Sequence, residues 1–307
     1  MSFWEKFHQY FRSHEIPFAY WEMLFIRFVF AWLIYASLPG WVSFTSQPKP
    51  DALANWIDFT FLSHTPIYNA LWWLAVASLI FYVLGLFQVI GLSYLAALFI
   101  SIGTLENSQG AAEHYRQLLT LAILAQALVA WWQILWTADD SSEKVRRWWL
   151  LDIKKERQLI HWTRIMIAGV YLTMAITKID RSDGRWLWDT PNLSVQIIKT
   201  HANDFANTGV ATDPFYLETL PKMIADNPNL SRIFFAPGLL LELFLFLGLI
   251  SRSWSLFTGI SAILLHRGIE ILMGLNFVTH EWMLWIFFVN PPYWIYRLFF
   301  RYHLNRP

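Results

Sequence analysis

The chain contains no cysteine, which excludes disulfides, thiolate catalysis and cysteine-ligated metal sites. Charge is also scarce. Asp, Glu, Lys and Arg make up 15% of 307 residues and balance to a formal net charge of +1. No basic stripe stands clear of acidic neighbours, so no nucleic-acid partner is expected. A glycine-rich phosphate loop, an HExxH helix, a G-x-S-x-G elbow, internal repeats and low-complexity tracts are all missing. These gaps argue against nucleotide-phosphate, zinc-protease and serine-hydrolase chemistry. The first residues, MSFWEKFHQYFRSHEIPF, lack the short apolar core of a cleavable signal peptide.

What the chain has is apolar surface. It is 56% hydrophobic with a mean hydropathy of +0.37, the composition of an integral membrane protein. Several of its 19 tryptophans, among them Trp131, Trp132, Trp148, Trp149, Trp282 and Trp294, flank apolar runs, where aromatic belts meet lipid headgroups. Runs long enough to cross a bilayer lie at about Trp21–Leu38, Ile67–Leu84, Phe87–Ile102, Tyr115–Trp136, Ile160–Lys178, Ile233–Ile250, Trp254–Gly274 and Trp282–Phe299. The expected fold is therefore all-α, a polytopic membrane helix bundle of about eight spans in one integral membrane domain, residues 1–307. The second and third runs are separated only by a tight connection around Gly85, Gln88 and Gly91. Residues 1–18 read as an interfacial amphipathic helix, because Phe3, Trp4, Phe7, Tyr10 and Phe11 recur at helical spacing beside Lys6 and Arg12.

Loop charge sets the expected orientation. Lys144, Arg146, Arg147, Lys154, Lys155 and Arg157 crowd the connection after the fourth run, and Arg297, Arg301 and Arg306 follow the last. By the positive-inside rule both termini and this connection are cytoplasmic, which an even number of spans satisfies. The segment 179–232 then becomes a long extracytoplasmic loop between spans five and six. Its apolar stretches LSVQII and FYLETLPKMI suggest short helices that pack back onto the bundle or rest at the membrane surface.

Polar residues inside apolar runs are costly and each needs a partner or a purpose. Those here are Arg27, His114, Arg164, Lys178, Glu242, His266, Arg267 and Glu270. Lys178 closes the fifth run about 27 Å from Ile160, at one edge of a hydrocarbon core. If the helix continues, Arg181 and Arg185 share its face, and with partial desolvation they favour a neutral amine able to act as a base. Asp180 and Asp183 oppose that effect, and simple snorkelling of the three cations is the plain alternative. Arg27, Arg164 and Glu242 read as structural, in interhelical pairs or as snorkelling ends. Arg267 and Glu270 stand three apart, close enough to pair within one helix.

Three short motifs carry a resemblance: Tyr171 with Lys178 and Trp186; His114 with Tyr115, Leu118 and Leu119; and the stretch ISRSWSLFTGISAILLHRGIEILMG around His266. In this order they resemble the vitamin K-dependent gamma-glutamyl carboxylases and their bacterial relatives, the horizontally transferred transmembrane domain proteins, over about Trp21 to Phe299. The large lumenal β-rich region of the animal enzymes has no counterpart. The resemblance implies a reduced quinone cofactor, either vitamin K or menaquinone, with O2 and CO2 as co-substrates and no metal. It makes Lys178 the base for the quinol and His114 a second catalytic residue. His266, Trp186, Tyr171 and Arg267 would line the cofactor pocket, although the animal enzymes lack charges matching Arg267 and Glu270. The implied partners are the bilayer, the quinone and a glutamate-containing peptide, and the implied place is a bacterial inner membrane with the site on the extracytoplasmic side. His114, Lys178 and His266 are expected in one outward-opening pocket with Trp186 at its mouth. Three alternatives stay open: a quinone-binding protein of peptide maturation or immunity that does not carboxylate, a small transporter, and a metal site formed by His266, Glu270 and His280.

Overall fold

The computed structural model describes residues 18–42, 50–109, 114–136, 153–211 and 213–300. Among these the regular structure is helical and no strand occurs. The helices are α1 (Tyr20–Ser37), α2 (Thr65–Leu84), α3 (Gln88–Ser108), α4 (His114–Trp136), α5 (Ile153–Arg181), α6 (Leu193–Thr208), α7 (Leu220–Asp226), α8 (Pro228–Phe244), α9 (Arg252–Met273), α10 (Val278–Leu284) and α11 (Pro291–Phe300). The interfacial helix expected at the N-terminus, and most of the basic connection after α4, lie outside the described residues.

Six helices are long and apolar enough to cross a membrane: Thr65–Leu84, Gln88–Ser108, Arg116–Leu135, Glu156–Arg181, Pro228–Leu249 and Arg252–Met273. The second and third expected spans are separate helices. Gly85 ends α2 in the left-handed region (φ +76°) and Phe87 opens α3 at φ +48°, so the chain reverses within three residues. The eighth expected span is interrupted. Its apolar helix covers only Val278–Val289, finishing in a π-helical turn over Trp285–Val289, and a new helix starts at Pro291 after Asn290 at φ +48°. Pro291 and Pro292 offer no N–H to continue the ladder, which is why the helix stops there.

The chain forms two compact units, one of residues Met1–Ile167 with Asn290–Pro307, the other of Ala168–Val289. In the first, α1 packs on α2, α2 on α3 and α3 on α4. Val89, Ala130, Ile134 and Leu159 make one of its buried clusters. Its polar interior holds the Arg27–Glu156 ion pair at 3.1 Å and a hydrogen bond of 2.9 Å from the Tyr82 hydroxyl to Gln126 Oε1. Arg27 thus has the interhelical partner its burial calls for.

The second unit is built on α9. Ser251 caps its N-terminus by accepting from the Trp254 N–H at 3.2 Å, and Gly274 ends it in the left-handed region at φ +66°. The helix α9 contacts α6, α8 and α10. Segment 179–232 is largely helical, and Ile197 of α6 with Leu220 and Ile224 of α7 packs against Phe235 of α8 and Met273 of α9 in one buried cluster. The expectation that LSVQII and FYLETLPKMI form helices packed on the bundle holds. Burial of those five side chains anchors the segment to α8 and α9.

Candidate functional site

The second unit gathers most of the intramembrane polar residues along one seam. Ala168, Tyr171 and Ala175 of α5 are buried and Lys178 follows, at spacings of three, four and three, which keep one helix face. At the end of that seam Lys178 Nζ lies 2.6 Å from both carboxylate oxygens of Glu242 on α8. Its ammonium also faces the Trp186 ring, 5.4 Å from the ring centre. Glu242 comes fourteen residues into a span that begins at Pro228, about 21 Å along the helix. Helical side chains lean toward their own N-terminus. The lysine head therefore meets a carboxylate fourteen residues into α8 rather than standing alone at the end of α5.

Glu242 is the residue that reasoning from sequence undervalued. It does form an interhelical pair, and its partner is the candidate base. Pro237, inside α8, removes one ladder hydrogen bond, and Gly238 next to it lets Leu265 of α9 approach to within 3.1 Å of where a Cβ would stand. Helices α8 and α9 can therefore pack closely just before Glu242. The face expected to carry Arg181 and Arg185 with Lys178 is cut short. Helix α5 ends at Arg181, Asp183 and Gly184 take positive φ, and Arg185 beyond them is an exposed cation 3.5 Å from Asp189.

Two turns back along the same face, the Tyr171 hydroxyl and His266 Nε2 are 3.2 Å apart, both groups buried. The His266 ring stacks on Phe277, with ring centres 4.8 Å apart and planes within 9°. It meets His280 edge-on at 5.7 Å. His266 Nδ1 is buried without a hydrogen-bond partner among the described residues. Arg267 is committed to two carboxylates, Glu270 at 2.6 Å and the buried Glu281 at 2.5 Å. The pairing with Glu270 follows the sequence expectation. Glu281 does not, because it falls between the seventh and eighth expected runs, whereas α10 begins at Val278 and buries both His280 and Glu281.

His114 opens α4 in the first unit, and its side chain lies outside the described residues, as does the expected meeting of His114 with Lys178 and His266. His266, Glu270 and His280 do not form a metal-ligating group, and none of three or more His, Asp or Glu side chains occurs among the described residues. No known protein family, curated protein or solved structure matches the chain.

The second unit thus brings together a Lys178–Glu242 ion pair, a Tyr171–His266 hydrogen bond and the rings of Trp186 and Phe277 beside them.

Proposed function

We propose that this chain is a quinone-dependent membrane enzyme of the gamma-glutamyl carboxylase type, with Lys178 and Glu242 together as the base for a hydroquinone. The observation that carries the reading is the two-oxygen contact of Lys178 with Glu242, next to Trp186 and in line with Tyr171 and His266. The residues fit a hydroquinone. Trp186 and Phe277 offer flat walls, the buried His266 Nδ1 can take part in one more hydrogen bond, and the ion pair is a proton acceptor inside an apolar surrounding.

When bound, a deprotonated quinol reacting with O2 supplies a base strong enough to remove a carbon-bound proton from glutamate, so that CO2 can add. The chain's own part is to position and to move protons. Transfer of the ammonium proton from Lys178 to Glu242 leaves a neutral amine and a neutral acid, with no net charge created in the low-dielectric interior. The amine then accepts the quinol proton. Tyr171 fixes the His266 ring through Nε2, which leaves Nδ1 to orient a hydroxyl. Burial of Tyr171 and His266 keeps competing water from the inner end of the seam.

We further infer eight crossings, with α1 and the interrupted Val278–Phe300 segment adding to the six long apolar helices, and with segment 179–232 outside a bacterial inner membrane. The basic connection before α5 supports that orientation. His114, at the start of α4, is proposed as the second catalytic residue, Arg267 as a pocket residue through Glu281, and a glutamate-containing peptide as acceptor. The reading is tested by oxygen-dependent quinol epoxidation and CO2 incorporation in proteoliposomes supplied with reduced vitamin K or menaquinone. Lys178→Ala and Glu242→Gln should each abolish epoxidation, and unchanged turnover in either would remove that residue from the mechanism. Epoxidation without carboxylation would select the non-carboxylating quinone protein, and solute or proton flux without any quinol would select a transporter.

A further inference from the structure

The amphipathic helix α6 has two apolar sides, and the unit uses only one of them. Ile197 is fully buried in the cluster with Phe235 and Met273, and Gly274 at the end of α9 lies against Thr200 and His201. On the other side Val195, Ile198 and Phe205 are 66%, 41% and 51% exposed, and Ala202 and Ala206 between them are exposed as well. At 100° per residue these five share one face, with Lys199 at its edge. Asp204, nine residues from Val195, projects from the opposite side.

We infer that this face of α6 lies in the bilayer surface on the side where α5 and α9 end, so that α6 is a membrane-embedded skirt around the second unit. Position supports this. The buried cluster holds α6 level with Phe235 and Met273, and on those two spans Ile233, Phe234 and Ile271 are exposed apolar side chains. The apolar face of α6 therefore continues the surface that the spans present to lipid. Charge supports it differently. Segment 179–232 holds seven acidic and five basic residues, net −2, so attraction to anionic headgroups is not what seats the helix; insertion of Val195, Ile198 and Phe205 is. Lys199 at the edge is placed to snorkel to the headgroups. The inference is independent of the quinol reading.

The absence of cysteine makes the test direct. Val195→Cys, Ile198→Cys, Phe205→Cys and Asp204→Cys are each labelled with an environment-sensitive fluorophore and reconstituted in phosphatidylcholine vesicles. Quenching by lipid-borne nitroxide is compared with quenching by aqueous iodide. The first three should be quenched by the lipid nitroxide about threefold more strongly than Asp204→Cys, with no change at high salt. Equal quenching of all four by iodide would overturn the proposal. So would protection of the three that appears only as the protein-to-lipid ratio rises, which marks a second copy on that face instead.

Discussion

Removing the two partners of the Lys178–Glu242 pair one at a time should have unequal effects on stability. The Lys178 side chain is 36% exposed and that of Glu242 only 10%. In Glu242→Ala the remaining ammonium can turn to water or headgroups, as surface cations do, so the loss should be about 1 kcal/mol. In Lys178→Ala the carboxylate stays where it is, among apolar neighbours and without its partner, and the loss should be about 3 kcal/mol. A lysine at the rim of a bundle would cost little to remove; a lysine holding a buried carboxylate does not. Lys178→Met combined with Glu242→Gln leaves no charge to desolvate and should return to within about 1 kcal/mol of the parent. The assay is thermal unfolding in one detergent for the parent, both single variants and the double variant, with epoxidation measured in parallel. The double variant should be stable and inactive, which separates loss of chemistry from loss of fold. If Lys178→Ala is as stable as the parent, or if the double variant is as unstable as Lys178→Ala, the pair is not coupled and the base assigned to it is wrong.

Tyr171→Phe keeps the ring and removes the hydroxyl from His266; it should cost about 1 kcal/mol of stability and raise the quinol concentration needed for half-maximal epoxidation more than it lowers the maximal rate. Gly85→Ala places a methyl 2.5 Å from Arg27 Nη1 at φ +76°, so it should lose about 1 kcal/mol for the backbone and more for displacing a buried guanidinium. Gly103→Ala, inside α3 with nothing within 4 Å of the added carbon, should instead gain about 1 kcal/mol in the same unfolding assay. Ser142→Cys should resist an impermeant thiol reagent in intact cells while Asn203→Cys reacts; the opposite pattern inverts the orientation.

The spans were legible because hydropathy is an average over about twenty residues and survives errors at each end. The break at Asn290 was also written in the chain, as Asn-Pro-Pro, but a window wide enough to find a span smooths over two prolines. Asn276, which accepts from the Val278 N–H at 2.9 Å, announces the start of α10 in the same way. Reading it as a helix start would have moved His280 and Glu281 from a loop onto a helix. The pairing of Lys178 with Glu242 was not legible. Helix α5 carries apolar residues on most faces and gives little periodic signal for how it is rotated about its axis, so its sequence does not say which of its charges faces Glu242. The resemblance singles out Tyr171 and His266 separately. That they touch depends on the depth at which α5 and α9 cross, which spacing alone does not set.

Two of the interhelical ion pairs, one taken from each unit, differ in exposure. Arg27 and Glu156 are both buried, their side chains 6% and 7% exposed, and Arg27 lies against the α-carbon of Gly85 at the turn between α2 and α3. Neither charge can reach a ligand without undoing the turn that encloses it. Such a pair fixes how helices meet, and replacing both members with apolar residues of similar volume is often tolerated. Lys178 and Glu242 differ in one respect that matters for chemistry. One partner is fixed by burial while the other is open over a third of its side chain and has an aromatic face beside it. In the proposed mechanism the fixed carboxylate holds the lysine and takes its proton, and the open lysine meets the quinol. The unequal response of the two single variants measures that difference in burial between the partners.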